Sequence, residues 1–255
     1  MRLQDLLNVG MKERREKTDA GLRSAAPLTA FRESIAGCVR AVAKKFLPSS
    51  AIHELRRYRM YGGRERALYL KIRAMNAIGV MNSRISQPPR TARSFLFVCF
   101  GNVIRSPMCE TLLKQALPGP PSRHVAVSSA GLNAVPGRPA HPWATAAAQE
   151  FGISLENHRA RLLTRDMVDQ ADAIFAMDYD NLVQLLSRYP DAGDKVFMLS
   201  AYASEDYPAA EITDPYLSGA EATRRCYTTL NTCIKNLVHS LARIHKPDGV
   251  KELTE

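Results

Sequence analysis

A cysteine and an arginine separated by five residues, Cys99 and Arg105, are the side chains best suited to do chemistry in this chain. They lie between an apolar run and a candidate helix. A loop of this length can turn its backbone N–H groups inward, and the helix N-terminus adds positive partial charge. A phosphate dianion fits such a cradle, and Arg105 offers a planar fork for two of its oxygens. The same positive surroundings favour the thiolate of Cys99, so the spacing predicts a nucleophile that handles phosphate.

Neighbouring residues suit the same loop. Gly101 and Asn102 are types that tolerate the positive φ that a tight anion-binding loop requires. The Ser106 hydroxyl can donate a hydrogen bond to a thiolate. A cysteine and an arginine six positions apart are common by chance, so the prediction depends on the strand, loop and helix around them.

The elements that must position this loop alternate between strand and helix patterns after residue 93. This alternation predicts an α/β fold: a central parallel sheet with helices on both faces, preceded by a helical N-terminal extension. Ligands of such sheets bind beyond the carboxyl ends of the strands, which is where Cys99 falls. Strands are expected at 94–100, 124–129, 171–177 and 195–199, and helices at 107–117, 141–151, 178–188 and 219–245.

Charge divides the 255-residue chain in two. Residues 1–93 hold 20 Lys and Arg against 7 Asp and Glu, whereas residues 94–255 hold 15 against 18. We therefore predict a basic helical extension with its linker over 1–93 and a catalytic domain over 94–255. Within the extension, an amphipathic basic helix is expected at 35–47, and two helices broken at Gly62-Gly63 are expected within 51–78.

The partner of the extension is left open by its sequence. Residues 1–93 fit an anionic membrane surface, a protein partner, docking onto the second domain or a merely solvated basic face. The stretch contains no zinc-ligand spacing and no specific nucleic-acid motif, which argues against nucleic acid as a partner.

Composition excludes several classes of protein. The chain is 45% apolar with 14 Gly and 15 Pro, unlike collagen, low-complexity disorder or a membrane-embedded bundle. Five scattered cysteines, an odd number, are typical of a reducing compartment. The N-terminus does not follow a signal-peptide pattern, and we expect a cytoplasmic protein.

Five segments together resemble the low-molecular-weight protein tyrosine phosphatase family over residues 94 to about 245. The first is the loop 98–107 and the last is Asp214-Pro215-Tyr216. Between them, in the family's order, lie Ser128-Ser129-Ala130-Gly131, His158-Arg159-Ala160-Arg161 and Ala176-Met177-Asp178.

The resemblance implies a two-step phosphatase mechanism without metal or cofactor. Cys99 attacks phosphorus, Arg105 and the loop amides bind the phosphate, and Asp214 acts as general acid and then as general base. The expected substrate is a phosphorylated protein or a small phosphomonoester, with Tyr216 forming the wall beside it. The resemblance assigns phosphate binding and support of the loop to Phe100, Gly101, Asn102, Val103, Ile104, Ser106, Ser129 and His158.

Three positions depart from the family pattern. Ile104 stands where some members carry a second cysteine, so a protective disulfide with Cys99 is not expected. Leu217 follows Tyr216 where another aromatic residue is common, and the stretch 132–137 contains no aromatic residue. The wall for a phosphotyrosine ring therefore relies on Tyr216 and Phe100.

Two other functions compete with a phosphatase. An arsenate reductase on the same scaffold would use two further cysteines, and Cys226 and Cys233 have a suitable separation. They fall within one predicted helix, about 10 Å apart along its axis, which is too far for a disulfide without unwinding. A binding module working through the basic segment would need neither Cys99 nor Asp214.

Overall fold

The computed structural model describes residues 57–77, 88–89, 91–117, 125–203 and 211–245. The chain forms two compact units, Met1–Tyr61 and Gly62–Glu255. The predicted helix at 35–47 lies outside the described residues. Residues 57–60 are helical and helix α1 spans Gly63–Ala77, which agrees with the break expected at Gly62-Gly63. The predicted boundary between the extension and the catalytic domain, at residues 93 and 94, remains a prediction.

A four-stranded parallel sheet organises the second unit. Its strands are β1 (Ser94–Cys99), β2 (Ala126–Gly131), β3 (Ala173–Ala176) and β4 (Val196–Met198), in the order β2-β1-β3-β4. The chain leaves β1 toward β2 and later crosses back to β3 on the other side. This reversal opens a crevice at the carboxyl end of β1, where the strand ends in Cys99.

Helices cover both faces of the sheet, as the α/β pattern predicts. They are α2 (Arg105–Ala116), α3 (Pro142–Gln149), α4 (Arg165–Gln170), α5 (Tyr179–Arg188) and α6 (Gly219–His245). Two 3-10 turns, Pro190–Lys195 and Leu199–Tyr202, flank β4.

Side chains of β1 alternate between two hydrophobic cores. Phe95 and Phe97 belong to the core that also contains buried residues of α2, α3 and α6. Leu96 and Val98 point the other way, into the core with Val168 of α4 and Leu185 of α5. Because a strand places successive side chains on opposite faces, a continuous apolar run is what a sheet covered on both faces requires.

The elements predicted after residue 93 are all present, with ends displaced by a few residues. Helix α2 begins at Arg105 rather than Pro107, so the arginine of the motif lies in the first helical turn. Proline is tolerated in that turn because its missing N–H would have had no helical partner. The six-residue helix α4 was not predicted, since it is too short to show a clear helical period. Within the described residues, no helix is long and apolar enough to cross a membrane.

Gly131 lets the end of β2 pass close to the loop after Cys99. A Cβ atom at this position would lie 2.8 Å from both the Asn102 nitrogen and the Phe100 oxygen. Since both contacts are backbone atoms, the loop would have to move.

We expect Gly131→Ala to lower the free energy of unfolding by about 1–3 kcal/mol in chemical denaturation, with a loss of activity. Gly193→Ala is the control, because its Cβ would meet only Leu186 at 3.9 Å; equal effects of the two changes would contradict this interpretation.

Candidate active site

The loop between β1 and α2 turns its carbonyl groups outward. Hydrogen-bond donors from the surrounding scaffold bind five of these carbonyl oxygens, and each bond holds one peptide unit in place. The pairs are Leu132 N–H to Cys99 O, Asn133 N–H to Phe100 O, His158 Nε2 with Asn102 O, His141 N–H to Val103 O, and Tyr227 hydroxyl to Ile104 O, all at 2.7–2.9 Å. With these carbonyls bound outside, backbone N–H groups are left to face the concave side, as an anion site needs.

Cys99 lies at the base of this concave loop. Its side chain is buried, with 3% of the residue exposed, and the Asn102 N–H points at Sγ from 3.3 Å. The Ser106 hydroxyl lies 3.0 Å from the same sulfur. Helix α2 starts without a side-chain cap, so its first N–H groups have no capping side chain as acceptor. Both contacts stabilise negative charge on sulfur.

Asn102 braces the loop through all of its polar atoms. It adopts a φ of 51°, whereas Gly101 does not have a positive φ, so the expectation of left-handed backbone holds for Asn102 and is wrong for Gly101. Its Nδ2 donates to the hydroxyls of Ser106 and Ser129 at 2.8 and 2.9 Å. Its Oδ1 accepts the Arg161 N–H at 2.8 Å. The left-handed conformation is thus fixed by side-chain hydrogen bonds.

His158 supports the loop as a neutral imidazole. Its Nε2 lies 2.7 Å from the Asn102 carbonyl oxygen, and because a carbonyl only accepts, Nε2 carries the hydrogen. The pKa of His158 is lowered, because burial disfavours the charged imidazolium more than the hydrogen bond to Asn102 favours it. The structure thus brings Ser129 to Asn102 Nδ2 and His158 to the Asn102 carbonyl oxygen.

Arg105 is almost completely buried, with 1% exposed, and is held by three oxygen atoms. One guanidinium nitrogen donates to Asp178 Oδ2 at 2.5 Å and to the Ile212 carbonyl at 2.9 Å. The other donates to Asp214 Oδ2 at 2.5 Å. Burial opposes the charge, but the carboxylates of Asp178 and Asp214 outweigh it, so the pKa of Arg105 is raised above its ordinary value. Arg105 is positively charged at every physiological pH.

Asp214 reaches the mouth of the site from the chain segment before α6. Its side chain is 39% exposed, and its Oδ1 accepts the Tyr216 N–H at 3.1 Å across Pro215. This turn directs Asp214 toward Arg105 and places Tyr216 beside the opening. A pocket of about 360 Å³ is lined by Cys99, Phe100, Gly101, Val103, Ile104, Arg105, Asn133, Val135, Arg138, Asp214, Tyr216 and Leu217.

The Tyr216 side chain is fixed by contacts on both sides. The His141 ring meets it edge to face at 5.4 Å between centroids, and Trp143 packs behind His141 at 4.7 Å. On the other side, the Arg138 guanidinium donates to the Tyr216 hydroxyl at 3.1 Å and lies 5.9 Å from the ring centre. Burial, and then the charge of Arg138, lowers the pKa of His141. The aromatic wall is therefore thicker than the sequence indicated.

Residues 94–246 match the family model of the low molecular weight phosphotyrosine protein phosphatase. The chain belongs to the low molecular weight protein-tyrosine-phosphatase family. The matched residues make up more than half of the chain and include every residue of the site described above. The enzyme is therefore a phosphatase, with Cys99 placed as a nucleophile requires.

Two proteins similar to this phosphatase come from bacteria. It is 40% identical over 124 residues to the probable low molecular weight protein-tyrosine-phosphatase EpsP of Ralstonia nicotianae, covering 49% of this chain and 79% of EpsP. It is 33% identical over 150 residues to Etp of Escherichia coli, covering 59% of this chain and 95% of Etp.

Solved structures share the fold. The crystal structure of the Erwinia amylovora tyrosine phosphatase AmsI aligns with a TM-score of 0.54 at 33% identity, covering 60% of this chain and 95% of AmsI. The YwlE arginine phosphatase of Geobacillus stearothermophilus aligns with a TM-score of 0.53 at 34% identity, covering 59% of this chain and 94% of YwlE. Family and fold class are confirmed as predicted.

The two cysteines considered for an arsenate reductase are part of the hydrophobic core. Cys226 and Cys233 both lie in α6, 8% and 0% exposed, and both are free thiols. Burial raises the pKa of each thiol to about 12, so both are protonated at neutral pH. Since attack on a disulfide or an arsenic centre requires a thiolate, these positions argue against a redox relay in this phosphatase.

Sequence reasoning missed three side chains that shape the site. The resemblance includes Asp178 within a family segment but gives it no role, yet it pairs directly with Arg105. Glu110 of α2 accepts hydrogen bonds from the Ser129 hydroxyl at 2.5 Å and from the Arg161 guanidinium at 2.9 Å, which extends the loop network to the surface. The buried Tyr227 hydroxyl binds the loop from α6. For Asp178 a signal existed, because it follows β3 at the same sheet edge as Cys99.

Replacing Asp178 by asparagine tests its pairing with Arg105. Asparagine preserves the helix cap but removes the negative charge, so we expect the free energy of unfolding to fall by about 1–3 kcal/mol. With Arg105 displaced, kcat/KM for p-nitrophenyl phosphate should fall by roughly 10- to 100-fold. Asp166→Asn, an exposed aspartate of α4, is the matched control. A variant with wild-type kinetics would contradict the importance of this ion pair for catalysis.

Proposed function

We propose that this phosphatase hydrolyses phosphotyrosine in proteins through a cysteinyl-phosphate intermediate. The observation that carries the proposal is the arrangement around Cys99: a recessed sulfur, Arg105 beside it, Asp214 at the mouth and an apolar rim above. Each group has a separate task in the two chemical steps.

In the first step the Cys99 thiolate attacks phosphorus. The S–P bond forms as the bond between phosphorus and the tyrosyl oxygen breaks, and the protonated Asp214 carboxyl gives its proton to that oxygen. Arg105 and the loop N–H groups bind the three equatorial oxygens, which carry the charge of the transition state. The Ser106 hydroxyl, 3.0 Å from Sγ, stabilises the thiolate before attack.

In the second step water attacks the phosphorus of phosphocysteine. Asp214, now a carboxylate, takes a proton from this water, and the S–P bond breaks to release inorganic phosphate and the thiolate. The Ser106 hydroxyl and the Asn102 N–H, both directed at Sγ, stabilise sulfur as a leaving group.

The depth of the site favours tyrosine over serine. Cys99 is 3% exposed, whereas Phe100 and Tyr216 on the rim are 49% and 38% exposed, and Leu217 is 92% exposed. A tyrosyl ring is long enough to carry its phosphate past this rim and can stack on Tyr216. The shorter side chain of phosphoserine would leave the peptide backbone pressed against the apolar rim.

Phosphoarginine is the second candidate substrate, because the chain is similar to an arginine phosphatase. The lining of the pocket opposes it. Among the described lining residues, Asp214 is the one carboxylate and is already paired with Arg105, while Arg138 adds a positive charge at the mouth. A guanidinium group entering here would meet repulsion from Arg138 and apolar surface from Val135 and Leu217.

We further propose a cytoplasmic, reducing location for this reaction. A nucleophilic thiol requires the reduced state, and the described cysteines Cys99, Cys109, Cys226 and Cys233 are all free. A protein partner or an anionic membrane surface for residues 1–93 stays a proposal that the basic composition supports.

The two catalytic roles can be separated by the choice of leaving group. Cys99→Ser should abolish hydrolysis, and Asp214→Asn should lower kcat by about 10²- to 10⁴-fold with phenyl phosphate. The loss should be far smaller with p-nitrophenyl phosphate, whose phenolate leaves without a proton. Asp194→Asn, an exposed aspartate, is the control. Equal losses of Asp214→Asn on both substrates would refute Asp214 as the general acid.

Substrate preference depends on the aromatic wall. Tyr216→Ala should lower kcat/KM for a phosphotyrosine peptide by roughly 2- to 10-fold, which corresponds to the loss of one aromatic pair. The low activity on the matched phosphoserine peptide should change less. Leu162→Ala, an apolar residue that is 43% exposed and does not line the pocket, is the control. Faster hydrolysis of phosphoarginine than of phosphotyrosine by the wild type would overturn the proposed preference.

A further inference from the structure

Helix α1 lies outside the family-matched residues and yet packs against the catalytic fold. Its inner side is buried at Tyr69 and Ile72, 3% and 4% exposed, whereas Leu70 on the outer side is 54% exposed. Ile72 and Met75 line a groove of about 530 Å³ that is completed by residues of α5 and the β4 strand. Burial of one apolar stripe docks α1 beside α5.

The first turn of α5 receives a direct contact from this helix. The Arg73 guanidinium lies over the Tyr179 ring, 5.6 Å from its centre. Tyr179 is 2% exposed and is the first residue of α5. A guanidinium over an aromatic face is attracted by the ring quadrupole, and the attraction strengthens where water is excluded. Arg73 therefore holds α1 against the start of α5.

The start of α5 also fixes the arginine of the active site. Asp178, directly before Tyr179, caps the helix with Oδ1, which accepts the Asn181 N–H at 2.7 Å, and binds Arg105 with Oδ2. The Tyr179 N–H donates to Glu211 at 2.7 Å, and the Ile212 N–H donates to Met177 O at 2.8 Å. These bonds join the start of α5 to segment 211–214.

All three oxygen partners of Arg105 belong to this joined unit. Asp178 precedes α5, and Ile212 and Asp214 lie in the attached segment. A shift of the first turn of α5 would therefore move the acceptors of Arg105 together. Because bidentate phosphate binding tolerates little displacement of the guanidinium, the support behind α5 affects the phosphate site.

We propose that α1 is a positioning element of the active site, in which Arg73 and Ile72 hold the start of α5 and thereby the Asp178–Arg105 pair. Arg73 is a positioning residue, since it acts through Tyr179 and Asp178. The inference rests on the proposed role of Arg105 in phosphate binding. It assigns part of the extension to catalysis in this chain.

The test compares two substitutions on opposite sides of α1 in the full-length protein. Ile72→Asp places a charge against α5, and Leu70→Asp places the same charge in solvent. The inhibition constant of inorganic phosphate, kcat and KM are measured with p-nitrophenyl phosphate. We expect Ile72→Asp to raise the inhibition constant by about 3- to 30-fold and Leu70→Asp to leave it unchanged. Equal constants for the two variants would overturn the proposal.

A milder substitution decides the matter if Ile72→Asp does not fold. Arg73→Met keeps the apolar stem but removes the charge over Tyr179, and Arg73→Lys restores a cation. We expect the inhibition constant to rise about twofold or more in Arg73→Met and to recover in Arg73→Lys. An unchanged constant in Arg73→Met would overturn the proposal, because a helix that merely adds stability would not alter phosphate binding in the folded enzyme.

The route through Asp178 is tested by combining Arg73→Met with Asp178→Asn. If Arg73 acts through the Asp178–Arg105 pair, the double variant loses no more phosphate affinity than Asp178→Asn alone. Fully multiplicative losses would refute this route.

A wild-type enzyme that neither hydrolyses p-nitrophenyl phosphate nor binds phosphate would instead refute the proposed function, so the two failures are distinguishable.

Discussion

The buried positive charge of Arg105 is the constraint on which the rest of the site depends. Removing a guanidinium from water is costly unless its N–H groups find charged or strongly polar acceptors. Here the acceptors come from the end of β3 and from segment 211–214, far from Arg105 in sequence. The sheet order places these segments at one edge, so the fold and the buried charge require each other.

The second requirement is a loop whose amides face an anion although its carbonyls must also be satisfied. Carbonyl oxygens of Phe100 and Val103 bind N–H groups of the segment after β2, and Asn102 and Ile104 bind His158 and Tyr227. Anion binding therefore arises from local geometry. It does not need a basic domain, because residues 94–255 hold more Asp and Glu than Lys and Arg.

The sequence predicts the parts of this site that are local and leaves out those that depend on tertiary packing. Cys99 and Arg105 are linked by one short loop, so their spacing alone indicates the chemistry. Asp214 was found only through resemblance, since an aspartate before proline is a common turn residue. Glu110 and Tyr227 lie on helix surfaces whose orientation is set by packing, and neither shows a local pattern. The sequence predicts the two helices around Gly62 and leaves docking onto the second domain open as one alternative. It does not predict the contact of Arg73 with Tyr179, because nothing in the local sequence distinguishes Arg73 from a surface arginine.

That contact changes the meaning of the basic excess in the first 93 residues. Basic residues in an amphipathic helix are usually explained by solvation or by an acidic partner. In α1, Arg73 instead faces an aromatic ring of the catalytic fold, and Lys71 and Arg64 line the groove beside it. An aromatic face attracts a cation without carrying a net charge, so this helix can dock on the catalytic fold through its basic residues. At least one positive charge of the extension therefore contributes to packing beside the residue that holds Arg105.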